Sequence, residues 1–219
     1  MSELHQRIIT ESRRLFRMHG LRTVTMDDIA ASLRISKRTL YEHFSDKDHL
    51  VQACLLEQIE DQNSQFAEFF REPPDILTAI LRCYRFISDE LKRTNISYFK
   101  ELRRYHPAVY EEVMTVHHKE AFRTLVRLIC KGQREGLFMP SVNPRLVALL
   151  FHHRNDVLSS PEHHSFLLEE FSLSDILEVL IVHTLRGIAT PAGIDIIDRY
   201  LQQNPNGRQN RVSGQDDES

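Results

Sequence analysis

The chain has 219 residues, 41% hydrophobic and 27% charged, with a formal net charge of −3, seven glycines, eight prolines and three cysteines. That composition suits a globular chain with a sizeable core and excludes collagen-like, low-complexity and disulfide-framed proteins. Apolar runs are short and interrupted by charge, and the start MSELHQRIITESRRLF lacks an apolar secretory core; no membrane contact, a cytoplasmic location and buried free thiols at Cys54, Cys83 and Cys130 are therefore expected.

Apolar residues at helical spacing predict an all-α chain of about nine to ten helices. Residues 4–18 form the first, with Leu4, Ile8, Ile9, Leu15 and Phe16 on one stripe, and it ends at His19-Gly20, where glycine suits the left-handed residue after a helix. A second helix covers Met26 to Leu33. Thr25 caps it, Asp27 and Asp28 favour its positive end, and Ile29, Ala30 and Leu33 share one face. Arg34-Ile35-Ser36 is the turn, with Ile35 as a buried plug and Ser36 as the next cap. The third helix, Lys37 to Phe44, opens with Lys37, Arg38 and Thr39 and turns Leu40 and Phe44 inward. Apolar on one side and basic at its start, it suits a DNA major groove.

A long helix runs from Asp46 to about Phe70, and Pro73-Pro74 breaks it. Asp75 caps a helix to about Arg93, a short one follows over 96–105, and Pro107 opens another to about Glu135, closed by Gly136. Asn143 caps a helix starting at Pro144, residues 158–171 are ambiguous, and Ser174 or Ser172 caps Asp175 to Thr190. Pro191 and Gly193 introduce a last helix to about Gln203. The predicted units are 1–47, 48–204 and a polar tail, 205–219, with too few apolar residues to fold.

Residues 1–50 carry nine basic and seven acidic side chains, and the other 169 carry 19 and 24, so the start of the chain is the basic part. The pairs His117-His118, His152-His153 and His163-His164 invite a metal reading. Adjacent helical residues diverge by about 100°, so the pairs cannot chelate as units. His152 and Asp156 form only a half-site, so neither a metal nor another cofactor is expected.

The run S-K-R-T-L-Y-E-H-F-S-D-K-D-H-L, preceded by T-x-x-x-I-A-x-x-L, closely resembles the signature of the TetR family of bacterial transcriptional regulators. The resemblance covers about the first fifty residues and implies an N-terminal three-helix helix-turn-helix domain joined to a helical ligand-binding and dimerisation domain. It implies a homodimeric regulator, a repressor released by a small ligand, whose partner is a palindromic double-stranded DNA operator. Arg34 stands where the family often has glycine.

On that reading Thr25, Tyr41 and Lys47 contact phosphates, Ser36 is mainly a cap, and Lys37, Arg38 and Thr39 read base edges, with His43 as a further candidate. Two late segments are apolar nearly all round and so must bury two faces. Their interface candidates are Leu146, Leu150, Leu173, Leu177, Leu180, Ile181 and Gly187. Polar or polarisable residues interrupting the middle helices give the effector lining: Tyr84, Tyr98, Phe99, Met114, His117, Phe122 and His152. Such a lining suits a mostly apolar effector. The rival reading is a helical ligand carrier or enzyme with an incidental helix-turn-helix, although no catalytic motif is present.

Overall fold

A computed structural model describes residues 2–93, 97–159 and 171–204, without the side chains of Ser97, Phe99, Leu173 and residues 152–159. The expected sites at Phe99, His152 and Leu173, the His152/Asp156 half-site, the ambiguous 160–170 segment and the tail 205–219 thus lie outside what is described. The described residues form ten helices: α1 (Glu3–His19), α2 (Met26–Leu33), α3 (Lys37–His43), α4 (Lys47–Arg71), α5 (Ile76–Lys92), α6 (Ser97–Tyr105), α7 (Pro107–Arg134), α8 (Pro144–Ser159), α9 (Leu173–Ile188) and α10 (Pro191–Gln203). None of these helices is long and apolar enough to cross a membrane.

The early helices start where their caps dictate. Ser2, Thr25, Ser36, Asp46 and Asp75 each accept a hydrogen bond from a backbone N–H three residues on, satisfying an amide the helix cannot use. Ser172, rather than Ser174, caps α9, through a reciprocal bond with Asp175. Ser174 is buried and shares a hydrogen bond with the Ser172 hydroxyl instead.

The apolar side chains gather into two cores. The first joins Ile8, Phe16, Ile29, Leu40 and Phe44 of the first three helices to Leu50, Val51, Cys54 and Leu55 of α4, and onward to Tyr98, Leu102, Val109 and Val113. Packing therefore does not divide at residue 47. The first three helices share their core with the start of α4 and with α6 and α7. The second core holds Leu77, Leu81 and Tyr84 of α5, Ile129 and Phe138, and Leu177, Val182, Leu185 and Ile188 of α9. Cys54 is buried, but Cys83 and Cys130 are only half-buried, because each falls at the margin of its helix's inner stripe.

Polar links also tie the first three helices to the body. Arg17 pairs with Glu90 at 2.8 Å, and the Arg22 amide donates to Glu101 at 2.9 Å. Buried His106 sits with Nδ1 2.6 Å from Asp48 Oδ1 at the start of α4. Gly20 has φ 85° and ψ 157°, an extended positive-φ conformation rather than the expected left-handed one. A Cβ there would also meet the Glu101 carboxylate at 2.7 Å.

Candidate nucleic-acid interface

The helix-turn-helix is built almost entirely from local bonds. Thr25 and Asp28 form a capping box: the Thr25 hydroxyl donates to Asp28 Oδ2 at 2.7 Å, and the Thr25 amide donates to the same oxygen at 2.8 Å. These bonds favour the charged form, so the Asp28 carboxyl titrates below its usual range. The turn after α2 closes with the Ile35 amide bonded to Ala30 O at 3.0 Å, and Arg34 takes φ 56°, ψ 40°. That left-handed conformation costs a non-glycine residue about 1–2 kcal/mol, which accounts for the glycine expected there in the family. Ile35 is half-buried, packing against the first core from the rim rather than plugging it.

Ser36 accepts from the Thr39 amide at 3.0 Å, and the two hydroxyls lie 2.7 Å apart, so both are occupied in starting α3. Leu40 and Phe44 are fully buried, which fixes the rotation of α3 and turns its opposite face outward. Lys37 and Arg38 stand on that face, Arg38 with 90% of its side chain exposed. The guanidinium touches Glu42 through Nε at 3.1 Å, leaving its two terminal nitrogens without a partner among the described residues. Tyr41 is exposed beside them, 42% accessible, and no bond to its hydroxyl occurs among the described residues. His43 is half-buried, its ring 5.7 Å from that of His5, which itself stacks on Phe44 at 4.7 Å. Burial and the neighbouring His43 lower the His5 pKa.

The structure revises several expected contacts. Lys47 does not point at solvent. Its ammonium is half-buried and donates to the carbonyls of Leu21 and Val24, and burial lowers its pKa. Thr25 likewise has both its donors occupied by Asp28. Exposed donors in this region include the Tyr41 hydroxyl and the terminal nitrogens of Arg38. Asp27 and Glu42, which pair with Lys37 and Arg38, are not among the residues expected from sequence. The Arg38–Glu42 pair was readable from its i, i+4 spacing, whereas the Lys37–Asp27 pair depends on how α2 and α3 pack.

The two other expected sites separate in space. Tyr98 belongs to the first core and Tyr84 to the second, so they do not line one pocket; both are only 3% exposed and act as packing residues. Met114 packs on the first core and Phe122 on the second, with half-buried His117 between them along α7. Burial, followed by the adjacent His118, lowers the His117 pKa and favours its neutral form. Open hollows of about 440 and 430 Å³ lie elsewhere, between α5 and α10 and along α1. Among the interface candidates, Leu146 and Leu150 are exposed at 61% and 60%, whereas Leu177 is 6% exposed and belongs to the second core. Leu180 and Ile181 are half-buried, and a Cβ at Gly187 would meet nothing within 4 Å. Leu177 fails as an interface residue because it lies on the inner stripe of α9 with Leu185 and Ile188. No group of three or more His, Cys, Asp or Glu side chains that could hold a metal ion occurs among the described residues.

Comparison with known proteins places this geometry. The family profile described as bacterial regulatory proteins, tetR family, matches residues 8–54, which span α1 to the first turns of α4. An uncharacterized HTH-type transcriptional regulator, YvaF, of Bacillus subtilis is 26% identical over 197 residues, covering 88% of this chain and 99% of its own. The HTH-type transcriptional regulator UidR of Escherichia coli K12 is 40% identical over 67 residues, covering 31% of this chain and 32% of its own. A TetR-family regulator of Marinobacter aquaeolei has a similar crystal structure, with TM-score 0.67 and 19% identity, covering 93% of this chain and 98% of its own. That last likeness concerns the fold.

Proposed function

This chain belongs to the TetR family of bacterial transcriptional regulators and carries its DNA-binding helix-turn-helix, and from that premise we propose a homodimeric repressor, released from a near-palindromic operator by a mostly apolar small molecule. The observation that carries the DNA-reading part is Arg38. Its side chain projects from the start of α3, and its outer edge offers two parallel donors, the pattern that matches O6 and N7 of guanine. Lys37 and Thr39 flank it as further readers. The Tyr41 hydroxyl is the donor assigned to a phosphate, which sets register without reading sequence.

The homodimer reading is supported by α8 and α9. Leu146, Leu149 and Leu150 of α8 are exposed at 61%, 42% and 60%, Val179 of α9 at 56%, and exposed Gly187 lies two turns beyond it. An apolar face of this kind on one protomer suits a second copy. For the effector we take the stretch of α7 from Met114 to Phe122, where the two cores meet. A small molecule there could favour one relative placement of the cores over the other, and its effect is limited to its differential affinity for the two.

Two variants test the reading. Arg38→Ala should weaken the preferred site by about 1–3 kcal/mol per contact and relax preference at one position in each half-site. An unchanged ranking of site variants removes Arg38 from the readers. Leu150→Glu places a charge in the proposed interface while leaving the protomer core intact. Light scattering should then report a folded monomer, and an intact dimer would move the interface elsewhere.

A further inference from the structure

Each basic side chain at the start of α3 is held by a carboxylate. Lys37 Nζ lies 2.8 Å from Asp27 Oδ1 and 3.1 Å from Oδ2. Arg38 Nε lies 3.1 Å from Glu42 Oε1. Asp27 comes from the first turn of α2 and reaches Lys37 because α2 and α3 pack together. Glu42 sits one turn along α3 itself. All four side chains are more than half exposed, so this surface carries two positive and two negative charges and sums to zero. A surface meant to gain affinity from phosphate attraction alone would not carry them, because that attraction grows with net positive charge.

We propose that Glu42, seconded by Asp27, is a specificity-determining positioning residue: it orients Arg38 toward a base edge and opposes its capture by the DNA backbone. The inference rests on the reading of α3 as the recognition helix. Glu42 takes the Nε side of the guanidinium and leaves the Nη1/Nη2 edge outward. A guanine, with O6 and N7 side by side, engages that edge while the Glu42 bond stays in place. A phosphate reaching the same edge brings a second anion close to the Glu42 carboxylate and is repelled. Asp27 acts on Lys37 in the same sense, since a lysine engaged by a carboxylate releases fewer counterions from the duplex. As exposed ion pairs, neither contributes much to folding, so their role belongs to binding.

The test uses the full chain as wild type, Glu42→Gln, Asp27→Asn and, as a charge control, Glu68→Gln, whose carboxylate pairs with Arg71 far along α4. Each is put through selection from a randomised duplex library. Binding to the wild-type site and to a scrambled duplex is then measured across a salt series. Glu42→Gln should bind the scrambled duplex more tightly, with a log–log salt slope steeper by up to about 1. Its preference at the guanine position should fall on the order of tenfold, within what one bidentate contact supplies. Asp27→Asn should steepen the slope likewise, and Glu68→Gln should change neither quantity. Retention by Glu42→Gln of both the wild-type slope and the wild-type preference would overturn the proposal, as would equal shifts in Glu68→Gln. If the wild-type chain itself selects no sequence, the recognition-helix reading falls. That outcome is distinct from a wild type that selects a site which Glu42→Gln selects with the same margin.

Discussion

The helix-turn-helix and the body around α7 to α10 are held by different forces. In the helix-turn-helix, Thr25–Asp28 and Ser36–Thr39 close over three residues, while the inward faces of Met26, Ile29, Ala30, Leu40 and Phe44 and the Ser32 hydroxyl on Glu11 reach elsewhere. In the body, long-range contacts decide the arrangement. Met139 donates to Ile188 O at 2.9 Å and Thr190 donates to Leu137 O at 3.0 Å, while Phe138, nearer in the chain, packs where Gly132 lacks a side chain. Local closure occupies many polar groups of the helix-turn-helix in building itself, while Lys37, Arg38 and Tyr41 stay exposed, and these are the ones the proposed function assigns to DNA. The body spends its apolar surface on a second core and still leaves the α8 face uncovered.

The sharpest way to separate the regions is to damage one and watch the other. Phe138→Ala empties a fully buried site in the second core and should cost about 3–5 kcal/mol in urea unfolding. The order of preference among DNA sites, measured on the folded fraction, should stay as in wild type. A changed order would mean that the body sets base reading directly.

A smaller effect divides two accounts of Lys47. Lys47→Met removes the donor to the Leu21 and Val24 carbonyls and should cost about 1–3 kcal/mol, with the salt slope of DNA binding unchanged. A slope flatter by about 1, with stability intact, would return Lys47 to the phosphates.

The smallest effect belongs to Glu11, which joins α1 to α2. Its hydrogen bonds to Arg14 and then Ser32 hold its pKa down at about 2, against the ordinary value of 4.5. A carboxyl depressed in the folded state stabilises the protein above its unfolded pKa and loses that contribution as pH falls through the folded one. The wild type should therefore exceed Glu11→Gln by about 1 kcal/mol near neutrality, after allowance for solvent screening. The margin should shrink between pH 4.5 and pH 2. A margin constant across that window would remove the ion pair from the stability of this region.

The same division explains what could be read from the residues alone. Caps, turns and the inward faces of Leu40 and Phe44 depend on neighbours within a few positions, so α1 to α5 begin within a residue or two of their predicted starts. The fold of Lys47 is not legible in the residues, because an exposed lysine and one folded back on the carbonyls of a preceding turn look alike in sequence. Tyr84 and Tyr98 share a residue type and lie on neighbouring helices, yet belong to separate cores, since nothing local says which core an inward tyrosine joins. Leu177 and Leu150 are both leucines on all-apolar helices. Only the packing of α9 on α5 turns the first inward, while α8 leaves the second exposed.

The central claim is that two copies of this chain read one duplex through the start of α3. Its most direct measurement is a protection footprint of the purified full chain on the DNA flanking its own coding sequence, repeated with Arg38→Ala. The account predicts protection of a near-palindromic site whose half-sites face the same way around the duplex, about one helical turn or a multiple of it apart, with the Arg38→Ala footprint lost at the same protein concentration. Protection of a single asymmetric half-site, or an identical footprint from Arg38→Ala, would contradict it.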